Sequence, residues 1–275
     1  METVRHVYGC GTPVRMHVAR AMAASLKCPL HEEAKPEYRG GDSIVWGLIR
    51  GSPKVIAETK AAGANYYQLD NGYFGRNAYY RFTKNAFQQT ALKDRPPIRW
   101  EHIRKHQSIH WEPQYRRTGS YVLFCLSTEW LYRFLGTDIK SYRNSTLKRL
   151  QEVTKREIIV REKDQTGTPQ QGIPIENMLK DAWCVVTHTS AVALDALRFG
   201  VPVFSTSDDC AANPCALRDV TRIDDPWYPE REPLFWSLAF SQWLPEEMQL
   251  GLAWNEVEGE KQSSESSLVT TAASP

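Results

Sequence analysis

Apolar positions in this chain come in short runs divided by polar turns, and their period changes from run to run. The clearest stretch is WCVVTHTSAVALDALRFGVPVFSTSDD, Trp183 to Asp209. Trp183 to Thr187 is an unbroken, β-branched apolar run, the pattern of a strand buried on both faces. His188 to Ser190 is a polar turn. Ala191 to Phe199 then switches to helical spacing, with Val192, Leu194 and Leu197 as the apolar stripe and alanines beside it; Gly200 stops the helix, and Val201 to Phe204 is a second buried strand. A strand, a short helix and a strand in so few residues make the unit from which parallel sheets are built. The fold class is therefore α/β.

The same alternation recurs upstream. VRHVYGC predicts a short strand, Gly9 and Gly11 a turn, and the following residues a helix with Thr12 as N-cap and Pro13 at its first position. The turn lacks the third glycine of a dinucleotide fingerprint. Asp42 to Ile49 predicts a buried strand and Ser52 to Ala62 a helix; a further strand ends near Leu69, and Tyr79 to Thr83 reads as a strand at a sheet edge. From Ala86 to Gly119 prolines weaken the pattern. Tyr121 to Leu126 and Glu157 to Val160 are again strands, around a helix from Asp138 to Lys155. Gly167 to Gly172 reads as a crossover and Ile175 to Asp181 as a short helix, while Glu230 to Trp243 and Pro245 to Trp254 read as closing helices. This pattern predicts two Rossmann-like lobes facing a central cleft in a compact version: residues 1–117, then 118–254 with the closing helices, then a polar Ser/Thr-rich tail, 255–275, expected to be disordered.

Composition changes this picture in one place. Among 275 residues, 41% are hydrophobic and 24% charged, the proportions of a soluble globular protein. No run is long enough to span a membrane, and METVRHVYGC lacks the plan of a signal peptide, so the expected location is the cytoplasm. Six scattered cysteines with no close CxxC pair are read as reduced thiols. The net charge of +2 is uneven, because between Arg76 and Arg117 ten basic residues face three acidic ones. Trp100, Trp111 and Tyr115 are interleaved with them. That excess predicts a polyanionic partner, with DNA the first candidate, although a sugar-binding surface or an interdomain linker fits the same residues. His102, His106 and His110 share a helical spacing, but no completing ligand accompanies them, and no metal site is assigned.

Candidate chemistry gathers where strands end. Thr187, His188, Thr189 and Ser190 bring hydroxyls to the start of a helix, a place suited to an anion, and Asp195 one turn further is placed for ribose hydroxyls or is a solvated helix residue. After the strand near Leu69, the loop holds Asp70, Asn71, Tyr73 and Arg76; Asp70 either acts on a hydroxyl or caps its own loop. Arg81, Lys84 and Arg104 extend this side as acceptor-binding candidates.

Residues Thr189, Ser190, Asp195, Ala196, Leu197, Gly200, Pro202 and Val203 resemble the TSxxxxEALxxGxPV pattern of bacterial capsule Kdo transferases and related phage-encoded sugar transferases, enzymes of the GT-B architecture, with Asp195 where that pattern has Glu. The loop Asp70, Gly72, Phe74 and Arg76 is similar to the EDGFxRS motif of the same transferases, with Asn71 in place of its central Asp. The resemblance implies a metal-independent glycosyltransferase that uses a nucleotide sugar as co-substrate and needs no further cofactor. It implies Asp70 and Arg76 as catalytic residues, and donor contacts from Arg161 and Lys163 after a strand end together with Thr187 to Ser190 and Asp195. The acceptor expected first is a hydroxymethylated base in DNA, flipped from the duplex. The alternatives are a surface polysaccharide, a nucleotide-sugar epimerase, and a non-catalytic nucleotide- or nucleic-acid-binding protein of the same fold.

Overall fold

The computed structural model describes residues 4–9, 11–48, 50–75, 77–163 and 172–259. In the first lobe, β1 (Arg5–Tyr8), α1 (Pro13–Leu26), β2 (Leu30–His31), β3 (Asp42–Trp46), α2 (Ser52–Ala61), β4 (Tyr66–Asn71), β5 (Tyr80–Lys84) and α3 (Ile98–His106) follow in order. The second holds β6 (Tyr121–Cys125), α4 (Glu129–Phe134), α5 (Ile139–Val153), β7 (Glu157–Arg161), α6 (Ile175–Leu179), β8 (Ala182–Thr187), α7 (Val192–Arg198), β9 (Val203–Ser205), β10 (Ala216–Leu217) and α8 (Glu232–Ala239). The chain closes with β11 (Gln242–Trp243), α9 (Pro245–Gln249) and α10 (Leu252–Glu258).

The architecture is two Rossmann-like α/β lobes. One sheet has the order β11-β5-β4-β3-β1-β2 and the other β10-β9-β8-β6-β7. The second sheet is parallel throughout, as is β2-β1-β3-β4 of the first, so helices cover both faces and the strands carry the continuous apolar runs seen in the sequence. Parallel strands also bring all their C-terminal ends to one edge, where open α/β sheets place ligands.

The boundaries shift for physical reasons. β3 stops at Trp46, because Gly47 turns the chain with a φ of 55°. β5 is not at an edge, since β11 pairs with it antiparallel, Gln242 opposite Arg81 and Trp243 opposite Tyr80. The expected helix over Glu230 to Trp243 therefore ends at Ala239, and its last residues cross back as a strand onto the first lobe. α10 continues to Glu258, four residues past residue 254 where the tail was expected to begin, because Glu256 and Glu258 pair with Lys93, Arg95 and Lys84. α3 ends at His106, so His110 is off the helix that carries His102. Thr12 makes no side-chain cap to α1.

A shared core locks the lobes together. Tyr73 and Phe74 from the loop after β4 pack in one cluster with Trp100, Leu123, Val185, Leu194, Leu197 and Phe235. At its centre Arg231, 2% exposed, donates to the carbonyls of Leu197, Glu112 (2.8 Å) and Pro113 (3.1 Å) and lies over the rings of Trp111 and Tyr115. Gly200, with φ +71°, lets the linker pass close by: a Cβ there would stand 2.3 Å from the Gln114 carbonyl oxygen.

Candidate functional site

Alternation along β4 sends Tyr66, Gln68 and Asp70 to one face, and the antiparallel register sets Arg81 of β5 directly opposite Asp70. Arg81 Nη2 reaches Asp70 Oδ2 at 2.9 Å, with the arginine side chain 8% exposed and the aspartate 24%. The guanidinium stacks over Phe87, 4.7 Å from the ring centroid, and lies 5.6 Å from that of Tyr73. Its Nε is buried without a hydrogen-bond partner, as are both amide atoms of the neighbouring, fully buried Gln68.

The loop after β4 is fixed by the returning C-terminal segment. Phe74 N–H donates to Gln242 Oε1 (3.1 Å), and Gln242 Nε2 donates back to the Phe74 carbonyl (3.0 Å). Gly72 N–H donates to the Tyr79 carbonyl at 2.8 Å, and a Cβ at Gly72 would stand 2.7 Å from that oxygen. Only glycine permits this approach. Tyr73 is buried, and its hydroxyl accepts a 2.6 Å hydrogen bond from Gln89 N–H.

The facing wall comes from the second sheet and is lined by neutral hydroxyls. Thr187 is fully buried; its Oγ1 donates to the Cys125 carbonyl (2.7 Å) and accepts from Ser190 N–H (3.2 Å), which folds the turn back on the strand. Ser190 Oγ accepts from Val192 N–H at 3.4 Å, and Thr189 Oγ1 is 3.4 Å from Ser127 Oγ. His188 stacks on Tyr132 with its ring 3.2 Å from Thr206 Oγ1, and burial lowers its pKa against the opposing charge of Asp209. Gln88 bridges the walls, donating to the Thr189 carbonyl (3.3 Å) and accepting from Ala211 N–H (2.7 Å). Between them lies a narrow cleft open to solvent, lined by Gly72, Tyr73, Arg81, Gln88, Ser190 and Ala191 among others.

Arg161, Lys163 and Asp195 gather around Cys125 at the same edge of the second sheet. Burial raises the Cys125 thiol to about 12, with Arg161 and Lys163 pulling it down and Asp195 pushing it up. Asp195 is partly engaged, since Arg198 Nε donates to its Oδ1 at 3.0 Å. Arg161 is 5% exposed and donates to the Ile173 carbonyl (2.9 Å), so it braces the chain after β7 rather than reaching the cleft.

The structure corrects several expectations. Thr187 is committed to the turn and has no surface for a ligand. Ser190 precedes the residue that caps α7, which is Ala191. Lys84 lies opposite Tyr67, on the other face of the sheet from Asp70, and pairs with Glu258 at 2.8 Å. Arg104 is exposed on the last turn of α3, whose buried face packs elsewhere. Asn71 is exposed and donates its N–H to Asp70 Oδ1 at 2.7 Å. Arg76 lies outside the described residues.

The basic excess also has a different meaning from the one expected. Lys84 pairs with Glu258, Lys93 and Arg95 with Glu256, Arg99 with Glu247, and Arg81 with Asp70. Arg116 donates to the carbonyls of Leu179, Lys180 and Phe199. Four of the ten basic residues of the segment are thus counter-charge to α9 and α10. Among the described residues, no group of three or more His, Cys, Asp or Glu side chains is placed to hold a metal ion, and no helix is long and apolar enough to cross a membrane.

Gln88, Gln242 and Ser127 were not singled out from the sequence as site residues. Ser127 follows a strand end and obeys the same positional rule as Ser190. The two glutamines carry no local signal, because their partners lie 101 and 168 residues away.

No protein-family model matches the chain, and no curated protein matches it. Among solved structures it is similar to the β-Kdo 2,4 transferase of Thermosulfurimonas dismutans KpsC, at 12% identity and a TM-score of 0.49, over 86% of this chain and 91% of that one. It is also similar to the β-Kdo 2,7 transferase of the same protein, at 11% identity and a TM-score of 0.47, over 91% of this chain and 98% of that one.

Proposed function

We propose that the chain is a glycosyltransferase that moves a sugar from a nucleotide-activated donor to a hydroxyl of a carbohydrate acceptor. The observation that carries this reading is the narrow cleft in which Arg81, the ion-pair partner of Asp70, lines one wall and Ser190 the other. The acceptor hydroxyl donates to Asp70 and its oxygen attacks the anomeric carbon of the donor. The anomeric C–O bond breaks, its electron pair leaves with the nucleotide phosphate, and the acceptor proton passes to the Asp70 carboxylate and then to solvent. Ser190 donates to the leaving phosphate from the wall of the cleft.

The cleft is too narrow to enclose a whole nucleotide sugar, so the nucleotide extends along the second sheet toward Lys163 and Asp195, whose Oδ2 accepts from ribose. The pairing of Lys84, Lys93, Arg95 and Arg99 with the C-terminal helices favours a carbohydrate acceptor over DNA.

The test incubates the full chain with a panel of nucleotide sugars, nucleotide-activated Kdo among them, and saccharide acceptors, reading nucleotide release and product mass. Transfer that Asp70→Asn slows by about 10²-fold or more, with donor binding retained, is the expected result. Donor binding without transfer, unchanged by Asp70→Asn, makes the chain a binding protein of this fold. Absence of both binding and release overturns the reading.

A further inference from the structure

The first lobe carries a second cluster of chemistry at the edge that holds Asp70. β1, β3 and β4 run parallel, so the turn at Gly9 and Gly11, the turn from Gly47 to Gly51 and the loop from Asn71 to Phe74 leave the sheet on the same side. Two guanidiniums converge there. A Cβ built on Gly11 would stand 3.3 Å from Arg15 Nη1 and 3.8 Å from Arg50 Nη1, so the two cations crowd one small volume. Arg15 is half-buried and lies 5.8 Å from the centroid of the buried Trp46 ring; Arg50 is exposed and sits at a φ of 53°, in the left-handed region that a non-glycine residue adopts at a cost. Among the described residues neither guanidinium has a carboxylate within ion-pair distance or a hydrogen-bond acceptor, while most other arginines of this lobe are paired.

Two like charges held together without a counter-ion repel each other, and the arrangement is relieved by an anion between them. The first turn of α1 beside them adds to the positive potential, because it contains no acidic residue and its N-cap position makes no side-chain hydrogen bond. We propose that Arg15 and Arg50 form an anion subsite for the acceptor, taking a phosphate or carboxylate group carried by the acceptor saccharide. The subsite rests on the glycosyltransferase reading above. β1 and β3, which precede the two arginines, lie two strands and one strand from β4 in the sheet, and their C-terminal ends share its edge. An acceptor anchored there by its anionic group presents a hydroxyl on a neighbouring part of the saccharide to Asp70. Bidentate arginine pairing with a planar or tetrahedral anion fixes the acceptor's direction as well as its position.

The experiment measures thermal stabilisation of the full chain by inorganic phosphate, glucose 6-phosphate, glucuronate and glucose at low salt, for the wild type, Arg15→Ala/Arg50→Ala and Asp70→Asn. Stabilisation by the anionic probes but not by glucose, lost in the double alanine variant, kept in Asp70→Asn and suppressed by added salt, is the expected result. The two sugar probes separate the sources: a larger shift with glucose 6-phosphate assigns the site to a phosphate, a larger one with glucuronate to a carboxylate. Equal shifts in wild type and double variant overturn the subsite. Arg50 is exposed in a turn and Arg15 lies in the first turn of α1, outside the hydrophobic core, so the double variant is expected to fold, which its unliganded melting temperature verifies. Nucleotide-sugar binding serves as the separate control. If it is present and unchanged in the double variant while the anion shift is absent from the wild type, the subsite fails and the transferase reading stands. If the anion shift holds and no nucleotide sugar binds, the transferase reading fails and an anion-binding site remains.

Discussion

The two walls of the cleft are built from the same fold and solve opposite problems. The first lobe presents charge: Asp70 with Arg81, and Arg15 with Arg50 further along the edge. The second presents the neutral hydroxyl of Ser190, with those of Ser127, Thr189, Ser205 and Thr206 engaged behind it, and keeps its charged side chains, Arg161 and Asp195, tied to neighbours. A charged wall acts on protons and anions of variable partners. A neutral, hydrogen-bonding wall can hold a group whose own charge changes during reaction without binding it too tightly beforehand.

This contrast is sharpest in paired substitutions. Asp70→Asn removes the proton acceptor and leaves shape nearly unchanged, so kcat is expected to fall by about 10²- to 10⁴-fold with the fold intact. Ser190→Ala deletes one neutral hydrogen bond of about 0.5–1.5 kcal/mol, and a rise of roughly 2- to 10-fold in donor KM is expected. Steady-state kinetics on both variants check the comparison, and equal losses in kcat would break it.

The lobes also differ in how they are joined. Arg231 fastens the end of α7 to the linker through three carbonyls, of which those of Glu112 and Pro113 would lose this donor without it. Arg231→Met is expected to lower stability by about 3 kcal/mol or more, since each unsatisfied buried acceptor costs ~1–3 kcal/mol. For a chain of this size that corresponds to a fall of about 6–12 °C in Tm. Calorimetry decides it. A smaller loss is expected at the cleft itself. Gln88→Ala removes both bonds that cross from one wall to the other, at about 1–3 kcal/mol, and should speed amide exchange at Ala211 more than in either sheet.

Much of this architecture was legible in the sequence because it depends on local rules. Buried parallel strands need continuous apolar runs, so Trp183 to Thr187 and Tyr121 to Leu126 declare themselves. Asp70 and Ser190 were singled out as candidates by their place after such runs. The structure differs where a distant partner decides the outcome. Gln242 and Trp243 carry a helical-looking context, yet pairing with β5 makes them a strand. Thr187 and Arg161 look like ligand contacts until their carbonyl partners are known. The basic segment from residue 76 to 117 showed its charge but not the acidic helix 150 residues away that neutralises it.

Acid separates the walls again. Burial lowers the pKa of His188 below its ordinary 6.5, with Asp209 opposing and Arg218 assisting. The unfolded chain then binds the proton more tightly than the folded one, so stability falls as pH drops through 6.5 toward the lowered folded value. His6 and His102 shift the same way. Tm is expected to be flat above the histidine range and to decline below it, and His188→Gln should reduce that slope. An unchanged slope would place the loss in the first lobe, at His6 and His102.

The smallest effect concerns the C-terminal helix. Glu256 accepts from Lys93 at 3.0 Å and from Arg95 at 2.6 Å, with its side chain 15% exposed and the two basic partners about a third exposed. Ion pairs this open to solvent contribute ~0–1 kcal/mol each, so Glu256→Gln should cost a degree or two of Tm, less at high salt. Its value lies in the charge it releases. The variant leaves Lys93 and Arg95 without their carboxylate and raises the net charge by one, so it should bind duplex DNA at low salt more tightly than the wild type in a salt-titrated shift assay. Wild-type binding as tight as that of the variant would mean that the basic segment is available to polyanions despite its pairing. The first wall would then reach beyond saccharides, and the difference between the two walls would be one of charge alone.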